Sequence, residues 1–163
     1  LEAHLTDHQF LLGRRPGRGD FGLFGQFSQL FFWEPDSPLI AARRSPRSVI
    51  WAYQIDDLSS LEIGETDGWF TRDKLPESLL DLLSEIGGTY APFLIANEQA
   101  IEAGDPELSC LIEGREYKQA PFAYQNKCLS WIREAFRQLS ADNQDAVTQI
   151  LSGTGCEVLI PDV

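Results

Sequence analysis

The stretch Phe10 to Leu30, FLLGRRPGRGDFGLFGQFSQL, restricts what the chain can fold into more than any other segment. Phe10, Leu11 and Leu12 form a short apolar run that Gly13 breaks and Pro16 turns. Phe21, Phe24, Phe27, Ser28 and Phe31 then recur at helical spacing, which predicts a buried helix from Gly17 to about Trp33. Its start carries half of a capping box. Gly17 stands at the N-cap position, and the Asp20 carboxylate, three residues on, can accept the orphan backbone N–H of Gly17. A negative charge there also suits the helix dipole.

The rest of the chain reads as further helices and a small sheet. Leu1 to His8 looks like the last turns of a helix. Glu34 to Pro38 is a turn, Leu39 to Arg44 a short helix, and Ser45 a cap for a helix with Pro46 at its first position. Val49, Ile50, Tyr53 and Asp57 share a face of that helix and are expected to point inward. Asp56 to Asp67 is polar and acidic enough to be an exposed loop. From Pro76 the pattern Leu79, Leu80, Leu82, Leu83, Ile86 is helical, and Gly87, Gly88 and Pro92 predict a kink or division before a second segment, Phe93 to Ala103. Residues 107 to 119 read as a β-hairpin, and Cys156 to Ile160 as a third strand beside it. Two helices lie between, Phe122 to Leu139 with Tyr124, Cys128, Trp131, Ile132, Ala135 and Phe136 buried, and Asn143 to Ser152.

Charge excludes some partners. The net charge is −12, and residues 51 to 110 concentrate it, with two basic against thirteen acidic side chains. Such a surface repels phosphate backbones and anionic membranes, so neither nucleic acid nor membrane is an expected partner. The three cysteines, Cys110, Cys128 and Cys156, are scattered and odd in number, which points to reduced thiols in a cytoplasmic protein. Cys128 is expected to be a buried packing thiol, with only Lys127, on another face, to influence it. His4 and His8 have the i, i+4 spacing of a metal pair, but without a third ligand nearby they read as surface residues. The chain contains no Met, so it is expected to be a piece of something longer.

No nucleophile–base signature and no phosphate-cradling loop appears, so no catalytic residue and no metal ligand is assigned. The segment GRRPGRG is Gly-rich and basic at a helix start, but Asp20 already fills the electrostatic role that a bound anion would take.

The pattern F-L-x-G-x-x-P-x-x-x-D from Phe10 to Asp20, followed by an aromatic helix, resembles the loop and sixth helix of the C-terminal domain of glutathione transferases. The family usually has Ser or Thr where this chain has Gly17. Further on, Ser45-Pro46-Arg47-Ser48-Val49 with Trp51 resembles the next helix of that domain. The likeness covers residues 1 to 58 and ends there. It implies a glutathione-transferase C-terminal-like helical bundle in residues 1 to 58; with the helical extension and small antiparallel sheet read from the residues of 59 to 163, the expected fold is mainly α. By the same resemblance the thioredoxin-like half, which takes glutathione and activates it, lies outside this chain. The helical half would line the pocket for a small hydrophobic electrophile, with Phe24, Phe31, Phe32, Trp33 and Tyr53 as candidate walls, although aromatic residues at helical spacing are more often core. Glutathione is then the co-substrate of the whole protein, and the partners are the thioredoxin-like domain and a second copy in a homodimer. Two other readings stay open: a non-catalytic binding or scaffold module with an acidic surface, and a different glutathione-linked activity on the same scaffold.

Overall fold

The computed structural model describes residues 1–62, 64 and 68–161. The chain is mainly helical, with one two-stranded antiparallel sheet among the described residues. It divides into two compact units, Leu1–Leu79 and Leu80–Val163. The segment after residue 58, where the likeness to the family ends, returns to the start of the chain. Gly13 bridges Trp69, the Arg14 N–H donates to the Gly68 carbonyl at 2.6 Å, and the Phe70 N–H donates to the Leu12 carbonyl at 2.8 Å. Gly13 has φ 132°, and a side chain there would strike the Gly68 carbonyl, so only glycine fits. Of the loop expected over Asp56 to Asp67, Ile63 and the run from Glu65 to Asp67 lie outside the described residues.

The first unit opens with a 3-10 turn, His4–Thr6, followed by helices α1 (Arg18–Ser28), α2 (Ser37–Arg44) and α3 (Pro46–Asp56). Five residues, Gln29–Trp33, continue α1 as a π-helical turn that closes with the Glu34 N–H on the Gln29 carbonyl. The wider turn changes which side chains face inward, so Phe27, Phe31 and Phe32 pack on the core while Trp33 is 76% exposed. The core itself is Phe10, Trp51, Ala52 and Ile55. On α3 the buried stripe is Ser48, Trp51, Ala52 and Ile55, and the expected inward face is corrected: Ile50 and Tyr53 are exposed. Both stripes have helical spacing. Trp51 decides between them, because it is the largest side chain on the helix and its indole N–H finds a buried acceptor.

The second unit is built on α4 (Glu77–Ala103), which begins just before the division. The expected division into two helices is absent, since α4 runs unbroken through Gly87, Gly88 and Pro92. Pro92 leaves the Gly88 carbonyl without its helical donor, but Gly88 is exposed, so water can satisfy it. Gly87 has a different task. It is buried, and a side chain there would run into the Thr154 carbonyl and the backbone of Gly155. By length and composition α4 also passes as a membrane span, with mean hydropathy 1.2 in its best window, a property shared by core helices of globular domains.

The hairpin is β1 (Leu108–Ile112) and β2 (Arg115–Gln119), paired in the register Cys110 opposite Tyr117. Helices α5 (Ala123–Arg137) and α6 (Ala141–Leu151) follow. The expected third strand is corrected: Cys156–Leu159 is a 3-10 turn, and the sheet has two strands. Gly155, at φ 81°, turns the chain left-handed before it, and the Cys156 N–H donates to the Thr154 hydroxyl at 3.2 Å. A period of three then buries Cys156 and Leu159 against Ala91, Leu94 and Leu129, and leaves Val158 half exposed. The expected buried face of α5 is also corrected. Leu129 and Phe136 are inside, whereas Tyr124, Trp131, Ile132 and Ala135 are exposed and Cys128 is half-buried. Tyr124 meets Trp131 edge to face at 6.2 Å on the outer side, with the Lys127 ammonium 4.9 Å from the Trp131 ring centre.

Candidate functional site

The Asp20 carboxylate in the first unit has no exposed surface. Its Oδ2 accepts the Gly17 N–H at 2.8 Å, capping α1 as the spacing predicts. Its Oδ1 accepts the Leu11 N–H at 3.0 Å and the Trp51 Nε1–H at 3.2 Å. One carboxylate therefore ties the loop, the start of α1 and the middle of α3 together. Gly17 also lies close to Trp69, where a side chain would meet the indole ring at 3.3 Å, so the small N-cap residue has a packing reason. The Arg15 guanidinium lies over the same ring, 5.3 Å from its centre, rather than toward the helix start.

A second capping carboxylate has no local sequence signal. Ser45 makes no side-chain cap on α3; Glu2 does the work from the other end of the unit. Glu2 Oε2 accepts the backbone N–H of Arg47 at 3.0 Å and of Ser48 at 3.1 Å, while Oε1 pairs with the Arg47 guanidinium at 3.0 Å. Burial pushes the Glu2 carboxyl up, yet the hydrogen bonds from Arg47 and Ser48 outweigh it, and the group lies below its ordinary value.

The two histidines depart from expectation. His4 is 1% exposed; its Nδ1 lies 2.9 Å from the Ser78 hydroxyl and its Nε2 lies 3.2 Å from the Phe10 carbonyl. A carbonyl only accepts, so Nε2 carries the proton and Nδ1 accepts from Ser78. The half-buried His8 ring lies 4.8 Å from His4, and Phe70 meets both edge-on. Burial pushes the His4 pKa down, the Phe10 carbonyl opposes this, and the nearby His8 adds to the lowering. His8 also lines a groove of about 330 Å³ with Leu5, Arg47, Ile50, Trp51 and Gln54.

The candidate pocket walls fall into three groups. Phe24, Phe32 and Tyr53 form a continuous ring contact, with centroids 6.3 Å and then 4.7 Å apart. Phe31 stacks on Phe27 at 5.1 Å, and Phe27 meets Trp51 edge-on, so Phe31 belongs to the core. Trp33 points to solvent. Tyr53, Ile50, Leu39 and Ile40 are each more than half exposed, so this unit presents large apolar side chains at its surface.

Among the described residues no group of three His, Cys, Asp or Glu side chains is placed to hold a metal. Burial raises the thiol pKa of Cys110 and of Cys156, so neither is an activated nucleophile. The Cys156 thiol donates to the Leu83 carbonyl at 3.1 Å and acts as core. No family model matches the chain, and no curated protein or solved structure matches it.

Proposed function

We propose that the first unit is the helical half of a glutathione transferase-like protein, which completes the co-substrate pocket when joined to a thioredoxin-like half. In this reading the glutathione thiolate, held by the other half, attacks a small hydrophobic electrophile. The chain supplies apolar surface from Phe24, Phe32 and Tyr53, and no catalytic group. The observation that supports it is the Asp20 node. The two sequence motifs that resemble the family, at Phe10 to Asp20 and at Ser45 to Trp51, meet there through one hydrogen bond from Trp51 to Asp20. The finer fold, a glutathione-transferase C-terminal-like bundle in residues 1 to 58, is part of the same proposal.

The test is a conjugation assay with glutathione and an aryl halide on the chain joined to a thioredoxin-like half. A rate well above the uncatalysed one supports the reading, and loss of that rate in Tyr53→Ala would place Tyr53 in the pocket. The chain alone should give no saturable heat with glutathione. If neither form binds glutathione, the non-catalytic scaffold reading replaces it; the exposed Trp33, Ile50 and Tyr53 are the observation that favours that alternative.

A further inference from the structure

The second unit carries an aromatic corner that the preceding reading does not use. On α4, Tyr90 and Phe93 lie one turn apart, with ring centroids 5.9 Å apart and planes at 30°. Tyr117 of β2 meets Phe93 at 6.1 Å with planes at 84°. Together with Thr89 and Ile112 these rings line an open, mainly apolar groove of about 360 Å³. The corner is held in place. The Tyr90 hydroxyl donates to Gln125 Oε1 on α5, and the Tyr117 hydroxyl donates to Gln119 Oε1 at 2.6 Å. Tyr90 and Tyr117 each remain 39% exposed, so ring surface is open to a ligand.

Rings set nearly at right angles offer electron-rich faces to one small volume, which suits a cation that carries little hydration. A neutral apolar group would also fit such a groove, and charge decides between them. The unit from Leu80 to Val163 holds thirteen Asp and Glu against five Lys and Arg. Two of those carboxylates, Glu85 and Glu113, are exposed: Glu85 lies one turn before Thr89, and Glu113 follows Ile112. One cation lies close in register, Arg115, across the ladder from Ile112. A hydrated ammonium such as unmodified lysine would lose too much solvation on a mainly apolar groove, whereas a trimethylated one has no N–H donors left to desolvate.

We propose that the corner formed by Tyr90, Phe93 and Tyr117 binds a quaternary ammonium group. Its source is either a free choline-like molecule or a trimethylated lysine side chain, which share this chemistry. Calorimetric titration of the full chain with choline and with its neutral isostere, 3,3-dimethylbutan-1-ol, tests the cation. A parallel pair of short peptides, one with trimethyl-lysine and one with lysine, distinguishes the sources. The quaternary ammonium member of at least one pair should bind about tenfold tighter than its control, as one cation–π contact of ~1.4 kcal/mol implies. Phe93→Leu should weaken binding about fivefold or more, Tyr117→Phe should preserve it, and Arg115→Gln should strengthen it. Circular dichroism reports whether each variant keeps its fold. Equal binding of choline and its isostere, with equal binding of the two peptides, would overturn the proposal and leave the groove as apolar surface. Saturation by none of the four probes would overturn it as well.

Discussion

Replacing Asp20 by Ala removes the acceptor for three buried or part-buried donors at once: the backbone N–H of Gly17, the backbone N–H of Leu11 and the indole N–H of Trp51. An N-cap alone contributes about 1 kcal/mol. Each further buried donor left without a partner costs ~1–3 kcal/mol, offset in part where water enters the space the carboxylate leaves and where a buried charge no longer needs compensation. The net expectation is a loss of roughly 3–5 kcal/mol from the first unit, more than a surface cap would give. Asp20→Asn should recover only part of it. Its one carbonyl oxygen cannot meet donors on both sides, and its amide NH₂ would face an N–H. The assay is urea unfolding followed through the Trp51 indole NMR resonance, which reports on the first unit irrespective of when the second unfolds. In a double-mutant cycle followed by far-UV circular dichroism, which does not need the Trp51 indole, Trp51→Phe with Asp20→Ala should show a coupling of about 1 kcal/mol. A loss below about 1 kcal/mol in Asp20→Ala would refute the node and leave an ordinary N-cap.

Adjacent glycines on α4 should respond with opposite sign. Gly87→Ala drives a methyl into the Thr154 carbonyl and should destabilise by ~1–3 kcal/mol, whereas Gly88→Ala meets open space and should stabilise by up to about 1 kcal/mol; thermal melts of both variants check the pair. The buried His4 has a lowered pKa, so the unfolded chain binds its proton first. The stability it contributes is complete above pH ~6.5, is lost as pH falls through that value, and stops falling below the folded pKa. Denaturation free energies between pH 7 and 5 should show this slope in the wild type and a shallower one in His4→Gln. Removing residues after Gly155 should cost several kcal/mol, about what burying Cys156 and Leu159 supplies, and Val158→Asp should cost little; a larger loss in Val158→Asp than in Leu159→Ala would restore the strand in place of the 3-10 turn.

Much of the helical organisation is legible because it is local. Asp20 three residues after Gly17, Pro46 at a first helical position and Gly104 after Ala103 are signals within one turn of the boundary they mark. The faces of the helices are less legible. On α3 and α5 two apolar stripes satisfy the same period, and the choice between them rests on contacts with residues distant in sequence, such as Asp20 for Trp51 and Glu98 for Arg133. The long helix misleads in another way. A Gly-Gly pair and a proline have the local character of a break, but Gly87 is required by a chain segment almost seventy residues later and Gly88 leaves its carbonyl in water.

The candidate site divides along the same line. The Asp20 cap is visible in the sequence, but the two further donors on Asp20 and the Glu2 cap on α3 come from outside the turn they stabilise, and no spacing rule reaches across forty-five residues. His4 shows the cost of judging polarity by residue type. On a polar terminal segment it reads as surface, but a ring with one donor and one acceptor is buried without penalty where a hydroxyl and a carbonyl flank it, here Ser78 and Phe10. The aromatic candidates separate in space. Phe24, Phe27, Phe31 and Phe32 pack on the core, whereas Trp33, at the end of the π turn, is exposed. On the Tyr53 side, Phe24 and Phe32 remain in contact with a ring that is itself exposed, and this is the side on which the proposed co-substrate pocket draws.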